Sequence, residues 1–247
     1  MLRGRGRRAA MSVLVAALTG AVAGGCGRGS SGGDATVDEK PERYASSGHL
    51  PEHLAADGTT VVVGSSRADT VVRVYEDLRC PVCGEFEEDG GAGALRKMTL
   101  HGEVRTEYTL ASFLDDRLGG KGSKKAANAL RAALERGKFV EYHDLLFQEQ
   151  PEEAVDGYTD AFLLRMASRV KGLRGAEFDA AVKGMKYRSF VTASQKAFEV
   201  DEAPGTPAFA VNGTLLKEDR WNLMFDPDYV PLAVGTSTLP QRQTHRT

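Results

Sequence analysis

Apolar residues along this 247-residue chain change their spacing, and each spacing predicts an element. Thr59-Thr60-Val61-Val62-Val63 is a short β-branched run ended by Gly64, and Val71-Val72-Arg73-Val74-Tyr75 follows with little alternation. Such runs predict strands, the second covered on both faces. Val104, Thr106, Tyr108 and Leu110 then alternate with Glu103, Arg105, Glu107 and Thr109, which predicts a half-buried strand. Further on the period lengthens. Lys124 to Glu135 is rich in Ala and Leu, and Phe139, Tyr142, His143, Leu146 and Phe147 fall at i, i+3, i+4, i+7 and i+8. Similar stripes at Phe162–Val170, Phe178–Met185 and Phe190–Phe198 predict further amphipathic helices. Finally Pro207–Val211 and Thr214–Leu216 flank Asn212-Gly213, a hairpin signal. The predicted order is strand, strand, helix, strand, helical block, hairpin.

The helix after the second strand carries the chemistry. It starts at Cys80-Pro81-Val82-Cys83, runs through Phe86, weakens at Gly90-Gly91 and resumes over Ala92 to Leu100. Proline suits the first helical position, where its missing N–H is not needed. The first sulfur therefore stands at a helix N-terminus, where unpaired N–H groups and the helix dipole favour a thiolate. An unperturbed thiol with a pKa of ~8.5 is only about 3% ionised at pH 7, so such a shift matters for disulfide exchange. Arg79 is expected to add positive charge beside Cys80, with Glu87 acting against it. Two bland alternatives stand beside redox activity. A disulfide closing a four-residue loop stabilises a domain by at most about 2 kcal/mol. Half of a zinc site would need two more ligands, and the five histidines show no metal spacing. Glu76 reads either as a proton relay for Cys83 or as a strand-end carboxylate facing water. His143 reads as a hydrogen-bonded core histidine, and Glu85, Glu87, Glu88 and Asp89 as a solvated helix face.

The N-terminus changes the picture. Residues 1–26 place Arg3, Arg5, Arg7 and Arg8 before an apolar stretch and Ala23-Gly24-Gly25-Cys26, the layout of an export signal ending in a lipidated cysteine. An ordinary cleaved signal containing a cysteine is the alternative. If Cys26 carries lipid, the odd count of three cysteines resolves into an anchor plus one redox pair. Residues 27–57 read as a flexible tether reaching on the order of 30 Å, 58–235 as the folded domain, and 236–247 as a disordered tail. The whole-chain charge is −2, and it is more acidic once the four signal arginines are set aside. Nucleic acid is therefore not expected as a partner.

The order of elements and four segments together resemble the DsbA-like branch of the thioredoxin superfamily. The segments are Val74–Cys83, Val104–Asp115, Gly137–Phe147 and Pro204–Gly213, the last containing Gly205-Thr206-Pro207. The resemblance covers about residues 59–216. It implies an α/β thioredoxin fold with an inserted helical domain at about 117–186, and a catalytic set of Cys80, Cys83, Thr206 and Pro207. Cys80 would be the exposed nucleophile, Cys83 the resolving thiol, Pro207 a cis proline facing the pair, and Thr206 its neighbour. No cofactor or metal is implied. The implied partners are reduced or unfolded secreted proteins, and a membrane redox partner that recycles the pair. With Cys26 lipidated, the protein would work on the outer face of the cell membrane as an oxidant. A reductase or isomerase of the same fold, or a peptide-binding lipoprotein with structural cysteines, are the rivals. The C-terminus departs from the resemblance: Asp226-Pro227-Asp228-Tyr229-Val230-Pro231 is too proline-broken for more than a turn or two of closing helix.

Overall fold

The computed structural model describes residues 42–235. The signal segment, Cys26, the first half of the presumed tether and the tail at 236–247 lie outside them. A six-stranded sheet forms the centre: β1 (Glu52–Leu54), β2 (Val61–Val63), β3 (Thr70–Glu76), β4 (Val104–Leu110), β5 (Ala208–Val211) and β6 (Thr214–Leu215). Their order is β1-β2-β4-β3-β5-β6. β3 and β4 run parallel, with Thr70 opposite Val104 and Glu76 opposite Leu110, and the other pairs are antiparallel. A parallel pair needs a crossover, supplied here by α1 (Pro81–Glu88) and α2 (Ala92–Leu100). Between β4 and β5 lie α3 (Leu114–Leu118), α4 (Gly122–Leu134), α5 (Phe139–Gln148), α6 (Asp160–Ala167), α7 (Ala176–Lys183) and α8 (Arg188–Val200). Two short helices, α9 (Glu218–Trp221) and α10 (Val230–Ala233), follow the sheet.

The periodicities explain this packing, with two corrections. Along β4 every residue but Arg105 is buried, so the strand is not half-wet. Its alternating pattern is genuine, but β4 is an interior strand and α8 covers its second face, where Leu110 N–H donates to Ser194 Oγ at 3.0 Å. The polar residues there are paired instead of solvated: Glu107 accepts from Arg73 at 2.8 Å. The second correction concerns the tether. The turn Ser47–His49, buried Leu50 and β1 all fall inside residues 27–57 and belong to the folded domain. Glu52 of β1 accepts from the backbone N–H of Phe139 and Val140 at 2.7 and 3.2 Å, so it caps the otherwise unsatisfied start of α5. A three-residue strand is too short for alternation to reveal.

α4 to α7 pack on one another. The small residues Ala126, Ala127, Ala129, Ala132 and Ala133 bring α4 close, and Phe139, Tyr142, Phe147 and Phe178 fill the space between, all almost fully buried. Each large side chain so buried contributes about 1.5–3 kcal/mol. At the hairpin, Asn212 and Gly213 both take positive φ (47° and 79°), the backbone of a type I′ turn. The proline-broken end does close the fold, through isolated turns. Met224, Val230 and Ala233 are completely buried. Gly91 N–H donates to Met224 O at 3.0 Å, and a Cβ at Gly91 would overlap that carbonyl. The break between α1 and α2 is thus the socket into which the C-terminal segment fits.

Candidate active site

β3 runs into the turn Asp77-Leu78-Arg79, and Cys80 caps α1 in extended conformation (φ −75°, ψ 118°) with Pro81 in the first turn. The Cys80 carbonyl accepts from Cys83 N–H and Gly84 N–H at 3.1 and 3.2 Å, closing that turn. Both thiols are free. Both are buried, so Cys80 is not the exposed thiol the resemblance implied: packing beside Thr206 leaves it 7% of its surface exposure, and Cys83 has none. The Cys80 thiol donates to the backbone carbonyl of Thr206 at 3.1 Å, and the Thr206–Pro207 peptide is cis. The structure therefore brings Cys80, Cys83, Thr206 and Pro207 together.

The two sulfurs differ in their chemistry. Cys80 is lowered to about 7, chiefly by the hydrogen bond from Cys83, against burial, with help from Thr206 and the N–H groups of Cys83 and Val82. A thiol of that pKa is about half ionised at pH 7. Thr206 Oγ1 is buried without a hydrogen-bond partner while Cys80 is a thiol, which leaves its hydroxyl able to turn to a thiolate. Cys83 is pushed well up, first by burial, then by the hydrogen bond and charge of Cys80 and the charge of Glu76.

Arg79 does not act as the sequence suggested. Its guanidinium is 2% exposed and turned into the helical block, donating to Asp115 at 3.0 Å, Gly119 O at 2.7 Å and Glu153 O at 2.9 Å. The charge beside Cys80 is thus neutralised by Asp115, and the thiolate is favoured by hydrogen bonds instead. Asp115 also accepts from the N–H groups of Ser123 and Lys124 at the start of α4. Asp77 accepts from Arg79 N–H, Leu114 N–H and Ser123 Oγ, and burial raises it to about 6 against those bonds.

Glu76 does not face water. It is fully buried, and its Oε1 lies 2.5 Å from His143 Nε2 of α5. Glu87 departs from the solvated face predicted for it: its side chain is 4% exposed and its Oε2 lies 4.0 Å from His143 Nδ1. A glutamate on the inner face of α1 is tolerated because a histidine from α5 meets it. Glu85, Glu88 and Asp89 do lie at the surface. Glu76, Glu87 and His143 present ligand atoms within 4.8 Å of one another. Two ligands of a tetrahedral zinc stand about 3.3 Å apart at bond lengths near 2.0–2.1 Å, so the 2.5 Å contact has the spacing of a hydrogen bond and not of a metal shell.

Two residues that support the site gave no sequence signal as such. Gln150, just past α5, donates through Nε2 to the carbonyls of Leu78 and Cys80 at 2.8 and 2.9 Å, and so pins the turn before α1. A side chain at position 84 would overlap the Gln150 amide, which explains the glycine one residue after Cys83. Trp221 of α9 donates its indole N–H to Pro207 O at 2.8 Å and packs on Phe209 and Phe225. A lone tryptophan downstream of the hairpin was the available clue to it.

Comparison with known proteins agrees with this architecture. A sequence model of the thioredoxin family matches residues 56–223. The Na(+)/H(+) antiporter NhaA 3 of Salinispora tropica is 31% identical over 156 residues, 62% of this chain and 21% of that protein, so the chain spans about a fifth of the antiporter. The thiol:disulfide interchange protein DsbL of Lelliottia amnigena is 25% identical over 157 residues, 60% of this chain and 69% of that one. Oxidised BdbD from Bacillus subtilis shares the fold, with a TM-score of 0.62 at 20% identity over 80% of this chain and 97% of that chain.

Proposed function

The chain belongs to the thioredoxin family, in its DsbA-like branch, and we propose that it is an extracytoplasmic thiol–disulfide oxidoreductase that oxidises the thiols of secreted proteins through Cys80 and Cys83. The observation that carries this reading is the inequality of the two sulfurs. One keeps 7% of its surface exposure and is lowered to about 7; the other has none and is pushed well up. A substrate thiolate attacks Cys80 of the disulfide, the Cys80–Cys83 bond breaks, and Cys83 leaves and is protonated. The substrate's second thiolate then attacks the mixed disulfide at its own sulfur and releases Cys80 as a thiolate. Thr206 and Pro207 line the place where the substrate strand would lie, as Cys80 already bonds the Thr206 carbonyl.

The direction follows from the same asymmetry. Lowering Cys80 stabilises the reduced enzyme, and a pair whose reduced form is stabilised oxidises its substrates. Cys26 would carry the lipid that holds the protein at the outer face of the cell membrane, where a membrane redox partner would reoxidise the pair. Cys80→Ser is expected to abolish exchange with a dithiol substrate, and Cys83→Ala to accumulate the mixed disulfide at Cys80. Wild-type turnover by Cys83→Ala would overturn the roles. Equilibration with glutathione buffers is expected to give a potential well above the thioredoxin value of about −270 mV; a value near it would make the protein a reductase.

A further inference from the structure

The chain carries a formal charge of −2, yet one groove of the folded domain gathers cations. It has a volume of about 620 Å³ and lies between the start of α4 and α8. Lys121, Lys124 and Lys125 line it from one side, Arg188 and Lys196 from the other. Asp116 and Glu199 are the acids of the lining, so five positive charges face two negative ones. Part of the excess is already matched: Lys124 pairs with Asp116 at 2.6 Å, Lys125 with Asp160 at 3.0 Å and Lys196 with Glu199 at 3.1 Å. Lys121 and Arg188 are exposed and meet no acidic partner among the described residues. Buried Val191 and half-buried Met185 add apolar lining.

This arrangement selects a class of ligand. A compact anion is held by free N–H groups at a helix start. Here those groups are spent, because Asp115 accepts from the N–H of Ser123 and Lys124 at 3.0 and 2.9 Å. A nucleic-acid strand is held by aromatic stacking as well as charge, and no aromatic side chain is among the described residues of the lining. An extended polypeptide suits the groove better. Arg188 and Lys196 are separated by about 12 Å along α8, the length of roughly four residues of extended chain at ~3.3 Å each. Acidic side chains of such a segment would meet the cations. The alternate, apolar ones would meet Val191 and Met185, methionine adapting to varied shapes.

The groove is also tied to the redox end of the sheet. Ser112 of its lining follows β4, whose Leu110 stands opposite Glu76 at the end of β3. Gly120 of its lining follows Gly119, whose carbonyl accepts from Arg79 at 2.7 Å. The residue before Cys80 thus braces one rim of the groove. Thr206 and Pro207 take no part in the lining, so the groove is separate from the contact beside the cis proline. We propose that it is a second docking surface, which takes an acidic, extended segment of the polypeptide whose cysteine exchanges at Cys80. This role rests on the thiol–disulfide reading and adds to it a preference among substrates.

The test uses the whole protein and two short fluorescein-labelled peptides without cysteine, one alternating Glu with Leu, the other Gln with Leu. Fluorescence anisotropy is expected to show tighter binding of the Glu peptide, weakening as salt screens exposed charges. Lys121→Gln combined with Arg188→Gln is expected to weaken that binding about tenfold, the worth of two exposed ion pairs. Lys171→Gln removes an exposed cation outside the groove and is expected to leave it unchanged. Dithiol peptides carrying the same two tails, with glutathione disulfide as reoxidant, extend the test to turnover. The Glu-tailed peptide is expected to have the lower KM at equal kcat, the mark of uniform binding, and the double variant to remove that difference. Equal binding of the two cysteine-free peptides, equal and measurable oxidation of the two dithiol peptides, or wild-type binding by the double variant would overturn the docking surface. So would capture of the wild type alone by phosphatidylglycerol vesicles without binding of the Glu peptide, which would assign these cations to a membrane. Binding of the Glu peptide with no oxidation of either dithiol peptide would instead overturn the thiol–disulfide reading, and leave the groove as a peptide site.

Discussion

Two buried polar clusters grow from the end of β3 and the turn that follows it, and they are built on opposite plans. Asp77 and Arg79 point into the helical block, where Asp115, Ser123 and the backbone at 114–124 take up every carboxylate oxygen; only Arg79 Nε is left without a partner. Glu76 points the other way, to His143 and Glu87, and each of the two glutamates keeps one buried oxygen unpaired. A buried charge with all its bonds made fixes a backbone. A buried acid with oxygens to spare is positioned to gain or lose a proton. Satisfaction, more than burial, separates the scaffold of this site from its chemistry.

Breaking the first cluster should have the largest effect. Asp115→Ala leaves the Arg79 guanidinium buried without its counter-charge, and is expected to cost about 3–5 kcal/mol in urea unfolding. The redox end should instead show itself through pH. Cys80 is lowered from 9.0 to about 7, so its contribution is full above the unfolded value and is lost as pH falls through 7. The reduced protein is therefore expected to gain about 2–3 kcal/mol between pH 7 and 9 relative to Cys80→Ser. A flat difference would remove the thiolate argument. Next, Gln150→Ala frees two carbonyls beside Cys80 and is expected to cost about 1–3 kcal/mol, with a faster reaction of Cys80 toward iodoacetamide as its turn loosens. Trp221→Phe keeps the ring packing but loses the bond to Pro207, an expected loss of about 1 kcal/mol. Glu87→Gln should cost least, below about 1 kcal/mol at pH 7, because the native site already favours the neutral acid. Its stability relative to wild type should rise as pH climbs from about 4.5 to 8, where only the unfolded acid is ionised, and level off above that; a loss of several kcal/mol would place Glu87 with the fixed cluster.

Much of this was legible in the chain. The β-branched runs, the helical stripes and Asn212-Gly213 report burial patterns that the sheet and helices realise. The start of α1 at Cys80 was legible in a short motif, and the proximity of Thr206 and Pro207 to it was implied by the family resemblance. What escaped depended on partners distant in sequence. Glu87 looks solvated until α5 brings His143 against it, 56 positions away. Arg79 looks like a neighbour of Cys80 until Asp115 turns it aside. β4 alternates as a surface strand would, yet β2, β3 and α8 enclose it. Gln150 follows no periodicity, since its role is to reach two carbonyls through one amide.

The socket at Gly91 has a consequence for the order in which the protein is made. The helix that bears both redox sulfurs is held at its far end by Met224 and Val230, more than 130 residues later. The strand that supplies Phe209 against Phe86 comes almost as late. A chain growing from its N-terminus therefore exposes Cys80 and Cys83 early but cannot seat them until its last turns emerge. Through most of its synthesis the pair consists of two ordinary thiols on an unanchored segment. The reactivity set by burial, Thr206 and the second sulfur arrives only with the closing residues, so a ribosome-bound or truncated chain carries the motif without the catalyst.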